Sequence, residues 1–253
     1  MTENLVRIHH ENYLEDIPFW ISHTEGKDPV LEVGCGHGRV TIPLLEIGRQ
    51  VVGVDLDGNV IKYLQNVLAV APKEMQEGSL ILQEDILKFH TEQRFGSVII
   101  PCNTYSTFNH VNRLSLLQNL NQFLDKGGAF LASTPNPVQL NRFHQTLMES
   151  PESEEPELEM TFNHPETGNP VQASSRFTAT SEVLCWDWIY DHLHPDGQVE
   201  RQIQSAEHYL ASRENYLGEL EKFGFGEITC LGDFNGEVYT EESPYLILVA
   251  SKI

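Results

Sequence analysis

The stretch that decides the fold is Pro29 to Gly38, PVLEVGCGHG, answered by VVGVDLD at Val51 to Asp57. Val30 to Val33 read as a short buried strand. Gly34, Gly36 and Gly38 then let the backbone turn sharply and approach a ligand before a helix starts at about Arg39. The second strand, Val51 to Val54, ends on Asp55, 21 residues after Gly34, where a carboxylate can accept hydrogen bonds from both hydroxyls of a ribose. Two features separate this turn from a dinucleotide site. The glycines are spaced GxGxG rather than the GxGxxG that receives a pyrophosphate, and an acidic residue, Glu32, stands two places before the first of them. A carboxylate there repels phosphate and suits a cationic ligand. The glycine spacing likewise disfavours a nicotinamide-dependent oxidoreductase on the same fold.

Outward from the turn, strands and helices alternate. Tyr13, Leu14, Ile17, Phe19, Trp20 and Ile21 predict a helix from about Tyr13 to His23, restarted at Pro18. Val40, Leu44, Leu45 and Ile47 give an apolar helix face ended by Gly48. A helix over 59–70 leads to a third strand at Leu80 to Leu82, and Phe95 to Ile100 is apolar throughout, as a buried parallel strand should be. A helix over 111–124 stops at Asp125-Lys126-Gly127-Gly128 before a fifth strand, Ala129 to Ala132. Five such alternations predict an α/β fold with a doubly wound, mostly parallel, Rossmann-like sheet. Phe225 to Leu231 and Tyr245 to Ala250, after a helix capped by Ser212 and ended by Gly224, bring the sheet to seven strands.

Between the fifth strand and that helix the pattern changes. Glu149 to Glu159, with six glutamates and two prolines, reads as a solvated loop without chemistry. Val183 to Asp191, a turn at His194-Pro195-Asp196-Gly197, and Gln198 to Leu210 read as an antiparallel hairpin. Trp186, Trp188 and Tyr190 alternate along its first arm and share a face, either as a platform over a ligand or as packing, with Asp187 and Asp191 on the other, solvated face. The domain reading is a helical segment over 1–28, a cofactor-binding core over 29–135, an inserted acidic loop and antiparallel β lid over 136–210, and a segment over 211–253 that completes the core.

The 253 residues, 40% hydrophobic and 21% charged, have ordinary globular composition. Sixteen Lys and Arg against 37 Asp and Glu leave a formal charge of −21, which disfavours nucleic acid and anionic membrane surfaces as partners. Cys35, Cys102, Cys185 and Cys230 lie far apart with no CxxC pair and no zinc-type Cys/His spacing, so they read as reduced thiols, the location as cytoplasmic, and no metal is expected. No apolar run approaches the ~18–20 residues that span a bilayer.

The blocks DIPFW, EVGCGHGRVTIPL, VVGVDLD, EDILKF, FGSVIIPCNTYSTF, LDKGGAFLASTPNP and GFGEITCLGDFNGEVYTEESPYLILVA, in this order, resemble the small-molecule class I S-adenosylmethionine-dependent methyltransferases. S-adenosylmethionine has a ribose, an ammonium group and a sulfonium, and no phosphate, which agrees with Glu32 and the glycine spacing. The resemblance implies that Glu32 and the turn of Gly34, Cys35, Gly36 and Gly38 hold the methionine moiety. It also implies that Asp55, flanked by Leu56, takes the ribose, that Asp85 and Ile86 meet the adenine, and that Pro101 and Asn103 line the site beside the transferred methyl. Asp57 either shares the ribose contact or caps the next helix. Cys102 and Thr104 depart from the family-like Pro-Phe-Asn-Ser. Pro-Cys at this strand end also occurs in cytosine C5 methyltransferases, a reading that the acidic charge opposes, and Cys102 reads better as a small apolar wall residue.

The resemblance implies an enzyme that methylates an N or O atom of a small-molecule acceptor. A protein or nucleic-acid methyltransferase, or a non-catalytic S-adenosylmethionine-binding regulator, stays open beside it. A general base is needed only if the acceptor carries a proton to lose, and the candidates are Tyr13, Tyr105, His110 and His144, with Asn136 and Arg142 near the same crevice.

Overall fold

All four residues of VLEV at Val30–Val33 are buried, as a strand covered on both faces requires. A computed structural model describes residues 2–11, 13–149 and 155–253. In chain order the strands are β1 (Val30–Val33), β2 (Val51–Asp55), β3 (Ser79–Gln83), β4 (Phe95–Ile100), β5 (Leu124–Pro135), β6 (Glu157–Asn163), β7 (Pro170–Ala179), β8 (Val183–Leu193), β9 (Val199–Tyr209), β10 (Phe225–Leu231) and β11 (Tyr245–Lys252). The helices are α1 (Thr2–His10), α2 (Ile17–His23), α3 (Thr41–Glu46), α4 (Gly58–Ala69), α5 (Lys73–Glu77), α6 (His110–Phe123), α7 (Pro137–Glu149) and α8 (Arg213–Lys222), with a 3₁₀ turn at Thr104–Thr107. Two compact units result, one of Glu15–Gln139 with Ala211–Ile253 and one of Met1–Leu14 with Leu140–Leu210. The segment read as 1–28 thus divides after Leu14.

The larger unit holds a seven-stranded sheet in the order β10-β11-β5-β4-β1-β2-β3, in which β11 runs against both of its neighbours and the other pairs are parallel. Alternate residues of one strand feed two cores: Leu31 and Val33 pack into one face's cluster and Val30 into the other's, as do Val98 and Ile100 against Ile99. The chain leaves β1 for β2 on one side, whereas β4 lies on the other. The carboxyl ends of β1 and β4 therefore flank the topological switch point where open α/β sheets bind ligands.

Three local expectations change. The helix expected from Tyr13 begins only at Ile17, because Asp16 holds the N-cap position and Pro18 sits in the first turn. The fifth strand starts at Leu124, opposite Phe95, and resumes at Ala129, opposite Ser97, so Asp125 to Gly128 form an irregular excursion within β5. The loop expected through Glu159 gives way to β6 at Glu157, because Leu158, Met160 and Phe162 alternate at strand period and pair with β7. Positions 150–154 of that acidic stretch lie outside the described residues.

The smaller unit is a four-stranded antiparallel sheet, β6-β7-β8-β9, in which the expected hairpin is the β8–β9 pair. Among the described residues no helix is long and apolar enough to cross a membrane.

Candidate functional site

The glycine turn is tied to the second strand before it meets any ligand. The amides of Gly34 and Cys35 both donate to the carbonyl of Val54, at 2.8 and 3.1 Å, and the amide of Gly38 closes the turn onto Cys35 at 2.9 Å. Gly34 and Gly38 hold φ of +75° and +88°, which only glycine adopts cheaply. A Cβ on Gly34 would press on Thr104, and one on Gly38 would lie 2.4 Å from Leu64, whereas one on Gly36 would meet nothing within 4 Å. The turn is therefore packed on its flanks and open at its centre.

Asp55 joins this open point to the end of β2. Its Oδ2 accepts from the amide of Gly36 at 2.9 Å and its Oδ1 from the amide of Asp57 at 3.0 Å. Asp57 itself caps α4, its Oδ1 accepting from the amide of Asn59 at 2.8 Å. Leu56 between them is exposed.

Glu32, on β1, is buried, and its Oε2 accepts from the hydroxyl of Thr41 at 2.6 Å. Burial pushes its carboxyl up to about 8, against the opposing pull of the Thr41 hydrogen bond and the Arg39 charge. Burial also raises the thiol of Cys35. Past β3, Asp85 accepts from the amide of Leu87 at 3.0 Å and pairs with Lys88 at 3.1 Å, and Ile86 is buried in the core.

At the end of β4, Pro101 is buried, and the next two residues, Cys102 and Asn103, both take left-handed φ, +57° and +59°. Strain of this kind, on the order of 1 kcal/mol or more for each, gathers at functional sites. The amide of Asn103 donates to Ser133 at 3.2 Å, and its Oδ1 is buried with no protein partner, an acceptor left for a ligand donor.

A network the sequence reading missed braces this strand end. Arg39 forks onto Asp16 at 2.5 and 2.7 Å, Trp20 Nε1 donates to Asp16 at 2.8 Å, and Arg39 also donates to Cys102 Sγ at 2.9 Å. Cys102 is thus an exposed acceptor for a guanidinium, not an apolar wall. The only signal in the sequence was that Asp16 and Arg39 fall in two of the family-like blocks.

Residues 30–128 match a family model described as a methyltransferase domain. Residues 30–128 therefore carry a methyltransferase domain. An uncharacterized methyltransferase of Bacillus cytotoxicus is 30% identical over 142 residues, covering 55% of this chain and 59% of that protein. A solved S-adenosylmethionine-dependent methyltransferase of Clostridium acetobutylicum superposes with a TM-score of 0.77 at 12% identity, covering 99% of this chain and 98% of the other. The sugar N-methyltransferase KedS8 of Streptoalloteichus sp. gives 0.72 at 17% identity, covering 100% and 92%. These two structural likenesses establish the fold. The chain spans 38% and 59% of the length of the first two curated relatives it matches.

Two of the candidate bases lie within the matched residues. Tyr105 is fully buried in the core against Phe130 and Tyr216, and burial holds its phenol well above the usual range. His110 bonds through Nδ1 to Glu219 at 2.8 Å, beside the fork from Arg113 to the same carboxylate. Asn136 clamps the turn before β11: its Nδ2 donates to the carbonyls of Thr240, Glu241 and Ser243, and its Oδ1 accepts from Tyr239.

Tyr13, His144 and Arg142 belong to the smaller unit. His144 is buried and its Nε2–H donates to the carbonyl of Thr180 at 2.5 Å, which commits that nitrogen as a donor. Tyr13 is half-buried and Arg142 exposed. Also in this unit, Trp186 and Trp188 lie side by side, centroids 4.8 Å apart, and both indole N–H groups are buried without a protein acceptor. Asp187, expected in solvent, is buried, accepting from Ser205 at 2.6 Å and from Arg176 at 2.8 Å. Those bonds hold its carboxyl below the usual range despite burial.

Proposed function

We propose that this chain transfers a methyl group from S-adenosylmethionine to a nitrogen or oxygen of a small-molecule acceptor, and that amino sugars are the first acceptors to test. The observation that carries the reading is the coupling of the glycine turn, open at Gly36, to the carboxylate of Asp55 through one hydrogen bond. The residues present fit the cofactor. An open turn, a carboxylate at the end of β2, a buried acidic group beneath the turn and an orphaned acceptor at Asn103 match a ligand that carries a ribose and an ammonium and no phosphate.

In this reading Glu32, Gly34, Cys35, Gly36 and Gly38 hold the methionine moiety. Asp55 and Leu56 hold the ribose, Asp85 and Ile86 border the adenine, and Pro101 and Asn103 line the side of the methyl. When bound, S-adenosylmethionine supplies a sulfonium methyl that an acceptor lone pair takes by in-line displacement, the electron pair of the broken bond staying on sulfur. Because positive charge disappears in that step, the protein's part is to orient the acceptor and exclude water. Burial holds the Glu32 carboxyl above its ordinary range, and an ammonium beside it would favour the carboxylate. Asn103 offers its side-chain carbonyl as an acceptor at the strained strand end. The name of the KedS8 neighbour and the acidic charge of the chain both favour a cationic or neutral acceptor such as an amino sugar.

The test is calorimetric titration with S-adenosylhomocysteine, with NAD in parallel. Binding of the first and not the second is expected, and Asp55→Ala should weaken it by roughly 10- to 100-fold, the value of one or two hydrogen bonds to a charged group. Equal affinity in the variant would remove Asp55 from the site. Binding without methyl transfer to any amine or hydroxylated sugar would overturn the small-molecule reading.

A further inference from the structure

We propose that the tip of the β8–β9 hairpin is a binding site for a first-row divalent metal ion such as Zn²⁺, formed by His192, His194 and Glu200. His192 and His194 are two residues apart on β8 and its turn, so their rings share a face, and Glu200 lies directly opposite His192 in the strand register. One ligand atom from each lies within 4.8 Å of the others. His194 Nε2 and Glu200 Oε2 are 3.7 Å apart, wider than a hydrogen bond and close to the ~3.4 Å between neighbouring ligands on a tetrahedral Zn²⁺.

The remaining contacts orient the set. His192 is buried, and its Nε2 meets the hydroxyl of Thr167 at 2.9 Å. That hydroxyl already accepts from the amide of Asn169 and can accept a second bond from Nε2–H, which leaves the Nδ1 lone pair of His192 for a metal. His164 stacks on His192 at 4.2 Å and 12°, and its own Nδ1 accepts from the amides of Glu166 and Thr167. It packs the buried ring in place and is not a ligand. His194 is half-buried with its ring 4.2 Å from that of His192, and Glu200 is exposed, its Oε1 accepting from Gln202 Nε2 at 3.1 Å while Oε2 faces His194, so the set is open to solvent on the side of Glu200.

Two imidazoles and a carboxylate are the donor set of Zn²⁺ sites that keep an open fourth position. The expectation of no metal rested on the absence of a CxxC pair and of zinc-type Cys/His spacing, whereas here a strand period and a cross-strand pair do the gathering. The site lies wholly within the antiparallel unit and does not depend on methyl transfer.

The test uses the full chain without an affinity tag, stripped with EDTA and titrated with ZnCl₂ by calorimetry, with thermal unfolding in parallel. One saturable site per chain and a raised Tm are expected. His194→Gln and Glu200→Gln, surface changes that leave the urea midpoint of the metal-free protein unchanged, should each abolish that site. Thr167→Val should weaken it about tenfold or more. His90→Gln, an exposed histidine elsewhere, should leave it intact. The ring nitrogens of His192 should shift on saturation in a ¹⁵N NMR spectrum. Absence of saturable binding, or a site that survives both His194→Gln and Glu200→Gln, would overturn the proposal.

Discussion

Each unit contains an arginine that forks onto a carboxylate through the same two nitrogens at similar distances, and the two forks differ in setting. Arg113 donates to Glu219 at 2.8 and 2.9 Å with side chains 2% and 4% exposed, between α6 and α8 of the methyltransferase-domain unit. Arg201 donates to Asp191 at 2.7 Å through both nitrogens with side chains 56% and 18% exposed, between β9 and β8 of the antiparallel unit. The distances predict equal worth, and the solvent decides otherwise. In the buried fork neither charge has water to fall back on, so each depends on the other, whereas in the exposed fork water replaces a lost partner.

The sharpest break of this comparison is Glu219→Ala, which strands the Arg113 guanidinium and should cost about 3–5 kcal/mol in urea unfolding. Replacing both partners, Arg113→Met with Glu219→Leu, should recover most of that loss, and failure to recover would mean that the fork contributes more than mutual neutralisation. Next in size is Gly38→Ala, where a positive φ and a Cβ at 2.4 Å from Leu64 act together, and about 2–4 kcal/mol is expected. Its counterpart in the antiparallel unit, Gly197→Ala, has a positive φ but open space, so only about 1 kcal/mol should be lost. Asp191→Ala should cost no more than about 1 kcal/mol, and the loss should shrink as salt is added.

The finest test concerns Glu32. Its folded carboxyl titrates at about 8 against an ordinary value of 4.5, so the folded chain holds this proton more tightly than the unfolded one. Its contribution to stability is therefore full below the ordinary value and is lost as pH rises through about 8. Glu32→Gln should flatten the fall in urea stability over that window. If Glu32 meets the ammonium of the cofactor, binding of S-adenosylhomocysteine near neutral pH should also release a proton, read as a binding enthalpy that changes with the ionisation heat of the buffer.

Most strands of the larger unit were legible in the sequence, although β5 runs from Leu124 to Pro135 where only Ala129 to Ala132 was expected. VLEV and FGSVII are β1 and β4, because strands buried on both faces leave nearly unbroken apolar runs between turn residues, whereas FGEITCL, β10, is an edge strand marked by alternation. The antiparallel unit was half legible. CWDWIY announced β8, but β6 was hidden by the glutamates around it, since a strand exposed on most positions differs from a loop only by a weak alternation. The candidate site divides the same way. The glycines, Asp55 and Glu32 stand out because backbone freedom and charge are properties of the residue type and its spacing. The Asp16–Arg39 fork, 23 residues apart, and the Glu219 that claims His110, 109 residues away, leave no local trace.

By itself the sequence determined that this chain makes a doubly wound sheet with a nucleotide-type turn at its switch point and a carboxylate one strand away, because hydrophobic period and glycine placement act over a few neighbouring residues. Only the tertiary structure decided what the chemically versatile side chains do. It sealed Tyr105 in the core, gave Asp57 to a helix cap, committed His144 to a carbonyl, and gathered His192, His194 and Glu200 at one hairpin tip. The physical reason is that a titratable or ligating group takes its role from burial and from partners distant in the chain, which exist only once the fold has brought them together.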